Sequence, residues 1–531
     1  MDKLPHEILF HILEWTVVAF YSDKNNLLKL RTTCKLFDDV LKRFALRTLQ
    51  LEFTRLDKSE RKVRPPDDDA LFRAGPFCRA LYLDMMVVRD DNEVMLLDNL
   101  FARVPAMDNF VSSLLHRYCM NETSFTEIDY RNQLGAILEH APKVTAVKLN
   151  LPFQLAWTGQ YRAGTMILGN TFEALAQRPE ESETLKTLVL ENLCDMSVVS
   201  LWRNPQDVKN IIIALADLTH LFLSVRRHEG GNANNINFRN RLWEMIGKAE
   251  KLESLCLVDL DAEGKHCRRI RTSSQRDLTL EEWQFRCIPT IRKPPKSVLP
   301  NLTYLELRQV EVMGSGLLSV FRCFANSLQE LYLDAVYLKT VYSTESPQDA
   351  HNTLWIGLPN MRPPPNHRWI ATYLRQIQVQ LRVCHVSSLG YDQYVMGEQL
   401  PEHSVTYDLE DPSDLDRTLE ERFVEVVMGI EQPPAPDDSD IVYLPEDSEQ
   451  DSWALGRCER TPSVDQMIVD AVVKTGPSPA SVWQRSIDGQ FPNCNQYTLD
   501  ALHGFANNAY KGMTLLNELS DQRVADLADT D

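Results

Sequence analysis

Apolar residues in the first 45 positions recur at steps of three and four, as they do along one face of an α-helix. The first such stretch follows Pro5, which suits the first turn of a helix because its missing N–H would have no partner there. A polar turn at residues 21–26 separates it from a second stretch at residues 27–41, where the stripe predicts another helix. A segment this short cannot bury two apolar faces by itself. We therefore expect the next part of the chain, or another protein, to cover it.

A different pattern fills the middle of the chain, where seven copies of a short leucine phrase occur, L-x-x-L-x-L in its full form. Clear examples are Leu185–Leu190, Leu218–Leu223 and Leu252–Leu257. The last two leucines alternate as in a β-strand, and helix-like stretches lie between the copies. The pattern predicts strand–helix units that stack into an irregular solenoid of the leucine-rich-repeat type. An ordinary α/β domain is the alternative, because the phrase also arises by chance in a leucine-rich chain.

In such a solenoid, one side of each strand faces solvent and offers a binding surface. Residues of any exposed strand would look the same, so no single one is favoured. The candidates for contact with a partner are Lys186, Thr187, His220, Glu253, Ser254, Tyr304 and Glu306.

Charge is distributed unevenly along the chain, whose net charge is −19. Residues 402–451 hold seventeen acidic residues against Arg417 and Arg422, and we expect disorder at least over 431–452 because like charges repel. Residues 265–296 have the opposite sign, with nine Lys or Arg against three acids. An acidic partner or a phosphopeptide could dock there, although a solvated loop is the more ordinary interpretation. The acidic balance of the whole argues against nucleic acid as the main partner.

Composition also bounds the chemistry. The N-terminal residues lack the basic and apolar parts of a signal peptide, and no apolar run approaches a membrane span. We expect a cytoplasmic or nuclear protein whose eleven cysteines are reduced. The pairs His266–Cys267 and Cys384–His385 lack the second ligand pair of a zinc site, and neither a Walker-type phosphate loop nor a Gly-x-Ser-x-Gly elbow occurs. We expect no metal, no cofactor and no enzymatic activity.

The N-terminal residues also carry a resemblance. The order Leu-Pro-x-Glu-Ile-Leu-x-x-Ile-Leu from Leu4, a polar turn, and Leu-Leu-x-Leu-Arg-x-x-Cys-Lys-x-Phe from Leu27 resembles the F-box. The F-box is the adaptor-binding module of SCF-type cullin–RING ubiquitin ligases, and the resemblance extends to about Phe44. Asn26 and Phe37 stand where the family often has an Asp and a Trp, and they keep polar capping and aromatic bulk.

The resemblance implies a partner and a set of contact residues. In the family, the Leu-Pro opening and the apolar positions of the first two helices dock on a Skp-family adaptor. Some of these residues will be internal core, and the sequence does not separate the two groups. The residues so implied are Leu4, Pro5, Ile8, Leu9, Ile12, Leu13, Leu27, Leu30, Cys34 and Phe37.

The sequence thus predicts an α/β chain in four parts. They are an N-terminal helical F-box (1–50), an irregular leucine-rich-repeat-like solenoid (51–397), an acidic, partly disordered segment (398–452) and a small helical C-terminal region (453–531). The predicted function is the substrate-recognition adaptor subunit of an SCF-type ligase. It would link an unknown target protein to the cullin–RING machinery without catalysing transfer itself. The alternative is an interaction scaffold outside the ubiquitin system, in which the N-terminal helices are merely a cap.

Overall fold

A computed structural model describes about the first four fifths of the chain, with gaps. The described residues are 5–20, 24–52, 68–85, 127–151, 161–226, 232–259, 299–308, 310–334, 336–342, 354–355, 368–377, 381–387, 389–395, 419–429, 487 and 490–491.

Three helices open the chain: α1 (His6–Ala19), α2 (Lys24–Arg31) and α3 (Lys35–Ala45). Pro5 precedes α1, and its carbonyl accepts the first helical hydrogen bond, from the Leu9 N–H at 3.1 Å. The helix predicted over 27–41 is instead two helices, because Cys34 adopts an extended conformation between them. The Thr32 hydroxyl donates to the Lys29 carbonyl at 2.7 Å, a side-chain bond that competes with continuation of the helix.

The strands that follow form one large sheet. It has nine strands in the order β1–β2–β3–β4–β5–β6–β7–β9–β13, and every pair whose register is described is parallel. Its strands are β1 (Thr48–Glu52), β2 (Ala80–Asp84), β3 (Ala146–Asn150), β4 (Thr187–Cys194), β5 (His220–Arg226), β6 (Ser254–Asp259), β7 (Tyr304–Arg308), β9 (Glu330–Asp334) and β13 (Val383–Ser387).

Helices lie between successive strands of the large sheet wherever the connection is described, as parallel pairing requires. Asn204 caps one of them, its side-chain oxygen accepting from the Gln206 N–H at 3.1 Å. The helices after β1 are α4 (Asp68–Ala74) with a 3₁₀ turn (Gly75–Phe77), α5 (Glu127–His140), α6 (Tyr161–Ala176), α7 (Asp195–Leu201), α8 (Pro205–Leu215), α9 (Asn232–Ile246), α10 (Gly314–Cys323), α11 (Ile370–Ile377) and α12 (Leu419–Met428).

Two small parallel sheets accompany the large one. The first, in the order β14–β10–β8, contains β8 (Glu311–Met313), β10 (Tyr337–Tyr342) and β14 (Gly390–Val395). The second pairs β11 (Leu354–Trp355) with β12 (Arg368–Trp369). Each of β8, β10 and β14 starts three residues after a strand of the large sheet ends, so each extends a strand-forming segment.

The leucine phrase encodes the strands of the large sheet. In β7 and β9, Leu305 pairs with Leu331 and Leu307 with Leu333, and all four side chains are buried. Residues between the leucines are often buried as well, so β2 and β3 are covered on both faces. Burial on both faces is typical of strands in parallel sheets.

The predicted fold class, an N-terminal helical F-box followed by a solenoid, is wrong. The structure has a single nine-stranded parallel sheet with interleaved helices, the arrangement of the α/β alternative. The solenoid prediction required one face of each strand to be open to solvent. Instead Thr187, Tyr304 and Glu306, predicted to face solvent, are only 3, 8 and 1% exposed. The leucine phrase specifies one apolar face of a strand and says nothing about what covers the other.

The other strand residues predicted to contact a partner are less buried. Lys186 and Glu253, which lie just before their strands, are exposed, and His220 and Ser254 are half-buried.

By internal packing, the chain falls into two compact units. One comprises Met1–Leu185, Val189–Asn192 and Ser486–Asp531, and the other Lys186–Leu188 and Leu193–Arg485. The predicted four-part division stays a prediction. The basic insertion at 265–296, the acidic stretch from 431 to 452 and the predicted helices after residue 460 lie outside the described residues. Within the acidic segment, residues 419–428 form helix α12, which ends at Gly429 with φ +75°.

Candidate partner-binding surface

Helices α1–α3 enclose a small apolar core. Leu13 of α1 and Leu41 of α3 are completely buried in it. Full burial of one such side chain contributes about 1.5–3 kcal/mol, so this core holds the three helices together. Its buried members are Leu13, Val17, Leu27, Phe37, Leu41 and Ala45, with Phe20, Leu28, Leu30, Leu36, Val40 and Phe44 packed around them.

This core separates the sequence-predicted contact residues into two groups. Leu9, Leu13, Leu27 and Phe37 are buried and Leu30 is half-buried. Pro5, Ile8, Ile12 and Cys34 are exposed, so they are the ones available to a partner. Leu4 lies outside the described residues. Adaptor binding by any of them stays a prediction.

The exposed residues of α1 continue along one side of the helix. Ile8 and Ile12 are 46 and 41% exposed, Trp15 is 73% exposed, and Ala19 is exposed as well. Their spacing of four, three and four places all four on one stripe, about a third of a turn from the buried residues. We call Ile8, Ile12, Trp15 and Ala19 the outer stripe of α1.

Sequence reasoning missed Trp15, the most exposed member of the stripe. Val18 and Phe10, at 69 and 45% exposure, were missed too. The sequence did indicate a covered surface there, because α1 is apolar around most of its circumference and such a helix is normally buried on all sides. Trp15 is not one of the positions of the F-box pattern, so the resemblance does not identify it.

Helices α2 and α3 carry most of the charged residues of the three-helix region. The two helices carry Lys24, Lys29, Arg31, Lys35, Lys42 and Arg43 against Asp38 and Asp39. The Arg31 guanidinium forms an ion pair with Asp38 at 2.8 Å. The Lys42 ammonium lies over the Phe77 ring, 5.0 Å from its centroid. Cations therefore outnumber acids on α2 and α3.

A second polar feature lies at the carboxyl ends of β2 and β3, where binding sites of α/β sheets often form. The Asn150 amide donates to the Asp84 carboxylate at 3.0 Å, and the Asn192 amide donates to the Asn150 oxygen at 2.9 Å. Asn192 has φ 59°, a left-handed conformation that Asn tolerates. Asp84 and Asn150 are buried and bonded to each other, so this row fixes the strand ends and offers little to a ligand.

The described residues offer neither a metal site nor a membrane span. In the part of the chain that the structure describes, no group of three His, Cys, Asp or Glu side chains is placed to hold a metal ion. Cys384 and His385 are adjacent in β13, so their side chains point to opposite faces of the sheet and cannot share an ion. The pair His266–Cys267 lies outside the described residues. No helix within the described ranges is long and apolar enough to cross a membrane.

No protein-family model matches this chain, and no curated protein matches it.

Proposed function

We propose that this protein is a substrate-recognition adaptor subunit of an SCF-type cullin–RING ubiquitin ligase, acting in the cytoplasm or nucleus. Helices α1–α3 would bind the Skp-family adaptor, and the region of the large parallel sheet would bind a target protein. The observation that carries the proposal is the outer stripe of α1, where Ile8, Ile12 and Trp15 remain exposed although the three helices already have a core.

The stripe supports partner binding on energetic grounds. Each Å² of apolar surface removed from water contributes about 25 cal/mol, so covering Ile8, Ile12 and Trp15 would favour association. Tryptophan is among the residues most enriched at the centres of protein interfaces. The adaptor is the occupant to which the F-box resemblance points, and two of its predicted contacts, Ile8 and Ile12, lie on the exposed stripe.

The proposed role requires no catalytic residue in this chain. A receptor of this kind would raise the local concentration of a target near the conjugating enzyme, so its contribution is proximity. Its two requirements are a surface for the ligase and a surface for the target.

The test is co-purification of the full chain with a Skp-family adaptor. Trp15→Asp should weaken the complex about 30-fold or more, because it puts a charge at the centre of an apolar contact. Ile8→Asp should do the same.

Phe72→Asp is the matched control. Phe72 of α4 is 72% exposed, almost the same as Trp15, but it lies outside α1–α3. The control should bind the adaptor like the unmodified chain. Failure of the unmodified chain to bind would overturn the proposal and favour the scaffold alternative, and equal losses in Trp15→Asp and Phe72→Asp would show that the stripe is not the docking surface.

A further inference from the structure

A few residues near the C-terminus pack on the first two strands of the large sheet. The Phe491 N–H donates to the Ile487 carbonyl at 2.8 Å, which is the spacing of a helical turn. Both side chains are buried, although the last described residue before them is Gly429. By internal packing, the residues from Ser486 onward belong to the same compact unit as α1–α3 and β1–β3. We call Ile487, Gln490 and Phe491 the C-terminal anchor.

The anchor is bonded to β1 and touches an aromatic ring of β2. The Thr48 hydroxyl donates to the Gln490 carbonyl at 3.0 Å, a bond between residues 442 positions apart in the chain. The Phe491 and Tyr82 ring centroids are 6.4 Å apart, with 59° between the ring planes. Thr48 pairs with Ala80, so the side chains of Thr48 and Tyr82 lie on the same side of the sheet. The anchor therefore covers part of the side of β1 and β2 that their leucines do not occupy.

Strand β1 has less support from the sheet than β2 has. Among the described strands, β1 pairs with β2 alone, whereas β2 pairs with both β1 and β3. Leu49 and Leu51 of β1 are half-buried, whereas Leu81 and Leu83 of β2 are completely buried. A contact on the other side of β1 therefore contributes a larger share of what keeps this strand in place.

Strand β1 is also joined directly to the helices proposed to bind the adaptor. Only Leu46 and Arg47 separate it from α3. The Arg47 carbonyl accepts hydrogen bonds from the Arg79 and Ala80 N–H groups, at 2.8 and 3.0 Å. Ala45, the last residue of α3, is buried in the core of α1–α3. Because this connection is short and hydrogen-bonded, a displacement of β1 would reach the end of α3.

We propose that the C-terminal anchor is a strap that holds β1 in the sheet and, through β1, fixes α3 for adaptor binding. Burial of Ile487 and Phe491 favours the closed strap, and the entropy of closing the long segment before them opposes it. Because these two effects partly cancel, the strap opens more readily than the sheet unfolds. The effect on adaptor binding rests on the proposed function, whereas the effect on β1 and α3 does not.

The experiment compares hydrogen exchange in the full chain and in its Phe491→Ala variant by mass spectrometry. Loss of the ring should raise exchange of the amides of β1 and of the last turn of α3 roughly 10- to 150-fold, the effect of losing one buried aromatic side chain. The amides of β5 and β6, which belong to the other compact unit, should stay within twofold. Unchanged exchange in β1, or an equal rise in β5 and β6, overturns the proposal.

Phe324→Ala is the matched control. Phe324 is also a buried phenylalanine, but it belongs to the other compact unit. Its substitution opens a cavity of the same kind and should leave exchange of β1 and α3 within twofold. A milder variant, Thr48→Val, removes only the hydroxyl that donates to the anchor and should raise exchange of β1 roughly 2- to 10-fold. An effect of Phe324→Ala on β1 as large as that of Phe491→Ala overturns the proposal.

A cut in the chain tests the strap by a second route. A recognition sequence for a site-specific protease replaces residues 446–452, so that cleavage leaves the anchor on a separate C-terminal fragment. After cleavage, this fragment should co-elute with the remainder of the protein in size-exclusion chromatography. Phe491→Asp should release at least ten times more of it, because a charge would replace a buried ring. Equal retention of the two fragments overturns the proposal.

Adaptor binding is measured on the same proteins. Phe491→Ala should weaken the complex roughly 2- to 30-fold, the range of couplings that pass through a connecting element. Unchanged adaptor affinity in a variant whose β1 and α3 exchange faster overturns the coupling to the adaptor. Failure of the unmodified chain to bind the adaptor would overturn the proposed function and leave the strap on β1 intact, whereas adaptor binding with unchanged exchange in Phe491→Ala would do the reverse.

Discussion

The outer stripe of α1 and the buried residues Tyr304 and Glu306 of β7 depart from the usual order of a folded protein in opposite ways. The stripe leaves Trp15 and two isoleucines partly in water, whereas β7 takes a phenol and a carboxylate out of it. Each departure costs free energy in the isolated chain. The stripe keeps a large exposed apolar area, whereas the buried carboxylate accepts a hydrogen bond from a neighbouring hydroxyl. An exposed row of apolar side chains favours a partner outside the chain, and a satisfied buried group serves the fold first.

The largest expected effect tests the division of α1 into a buried and an exposed side. Leu13→Ala should destabilise α1–α3 by about 2–5 kcal/mol, because it opens a cavity in their core. Ile12→Ala, one residue earlier and 41% exposed, should change stability by about 0.5 kcal/mol or less. Hydrogen exchange of residues 5–45, followed by mass spectrometry, measures the local opening free energy without assuming that the whole chain unfolds in one step.

In adaptor binding, unlike in stability, the substitution at position 12 should have the large effect. Ile12→Asp should abolish the complex while leaving exchange in α2 and α3 nearly unchanged. Similar hydrogen-exchange protection in Leu13→Ala and Ile12→Ala would contradict the assignment of Leu13 to the core of α1–α3.

A smaller effect tests whether the hydrogen bond between Tyr304 and Glu306 stabilises the fold. Tyr304→Phe removes the donor to Glu306 and should cost about 1–3 kcal/mol, because a buried carboxylate loses a hydrogen bond. The double variant Tyr304→Phe with Glu306→Gln should lose less than the sum of the two single variants, since the two groups interact directly. Exchange of β6 and β7 amides provides the measurement. Strict additivity would show that the hydroxyl and the carboxylate do not stabilise each other.

The smallest effect is a dependence on pH. Burial lowers the pKa of His220 on β5 below its ordinary value of 6.5, and the charge of Glu253 opposes that shift only partly. The unfolded chain therefore takes up this proton at a higher pH than the folded chain does. The contribution of His220 to stability is present above about pH 6.5 and is lost as pH falls towards the folded pKa. Protection of β5 amides should fall from pH 7.5 to pH 5 in the unmodified chain.

His220→Gln provides the control for that series. The variant should show a shallower fall over the same pH range because it has no proton to take up at this position. Parallel curves for the two proteins would exclude His220 as the source of the pH dependence.

Much of the secondary structure followed from the sequence. The leucine phrases ending at Leu190, Leu223, Leu257, Leu307 and Leu333 correspond to β4, β5, β6, β7 and β9. The amphipathic spacing predicted helices at the N-terminus, where α1–α3 lie. These patterns are local, since alternation and a period of 3.6 are properties of single elements. The break between α2 and α3 was missed because the apolar stripe continues across it.

The architecture did not follow from the sequence. Each phrase fixed one apolar face, and the choice between an open solenoid and a sheet buried on both faces depended on what covers the second. Glu306 illustrates this, because a glutamate between two leucines is normally a solvated residue and here is 1% exposed. Its partners, Tyr304 and the more distant Arg308, are ordinary residues in the sequence.

By itself, the sequence determined which residues are apolar, where strands and helices form, and which ten N-terminal residues resemble an adaptor-binding motif. Only the tertiary structure decided which of them form the core and which are free to bind. Leu9 and Ile8 are adjacent and chemically alike, yet one is buried and the other nearly half exposed. The reason is that burial depends on the direction in which a helix faces its neighbours. That direction is set by contacts among α1, α2 and α3 that no single element encodes.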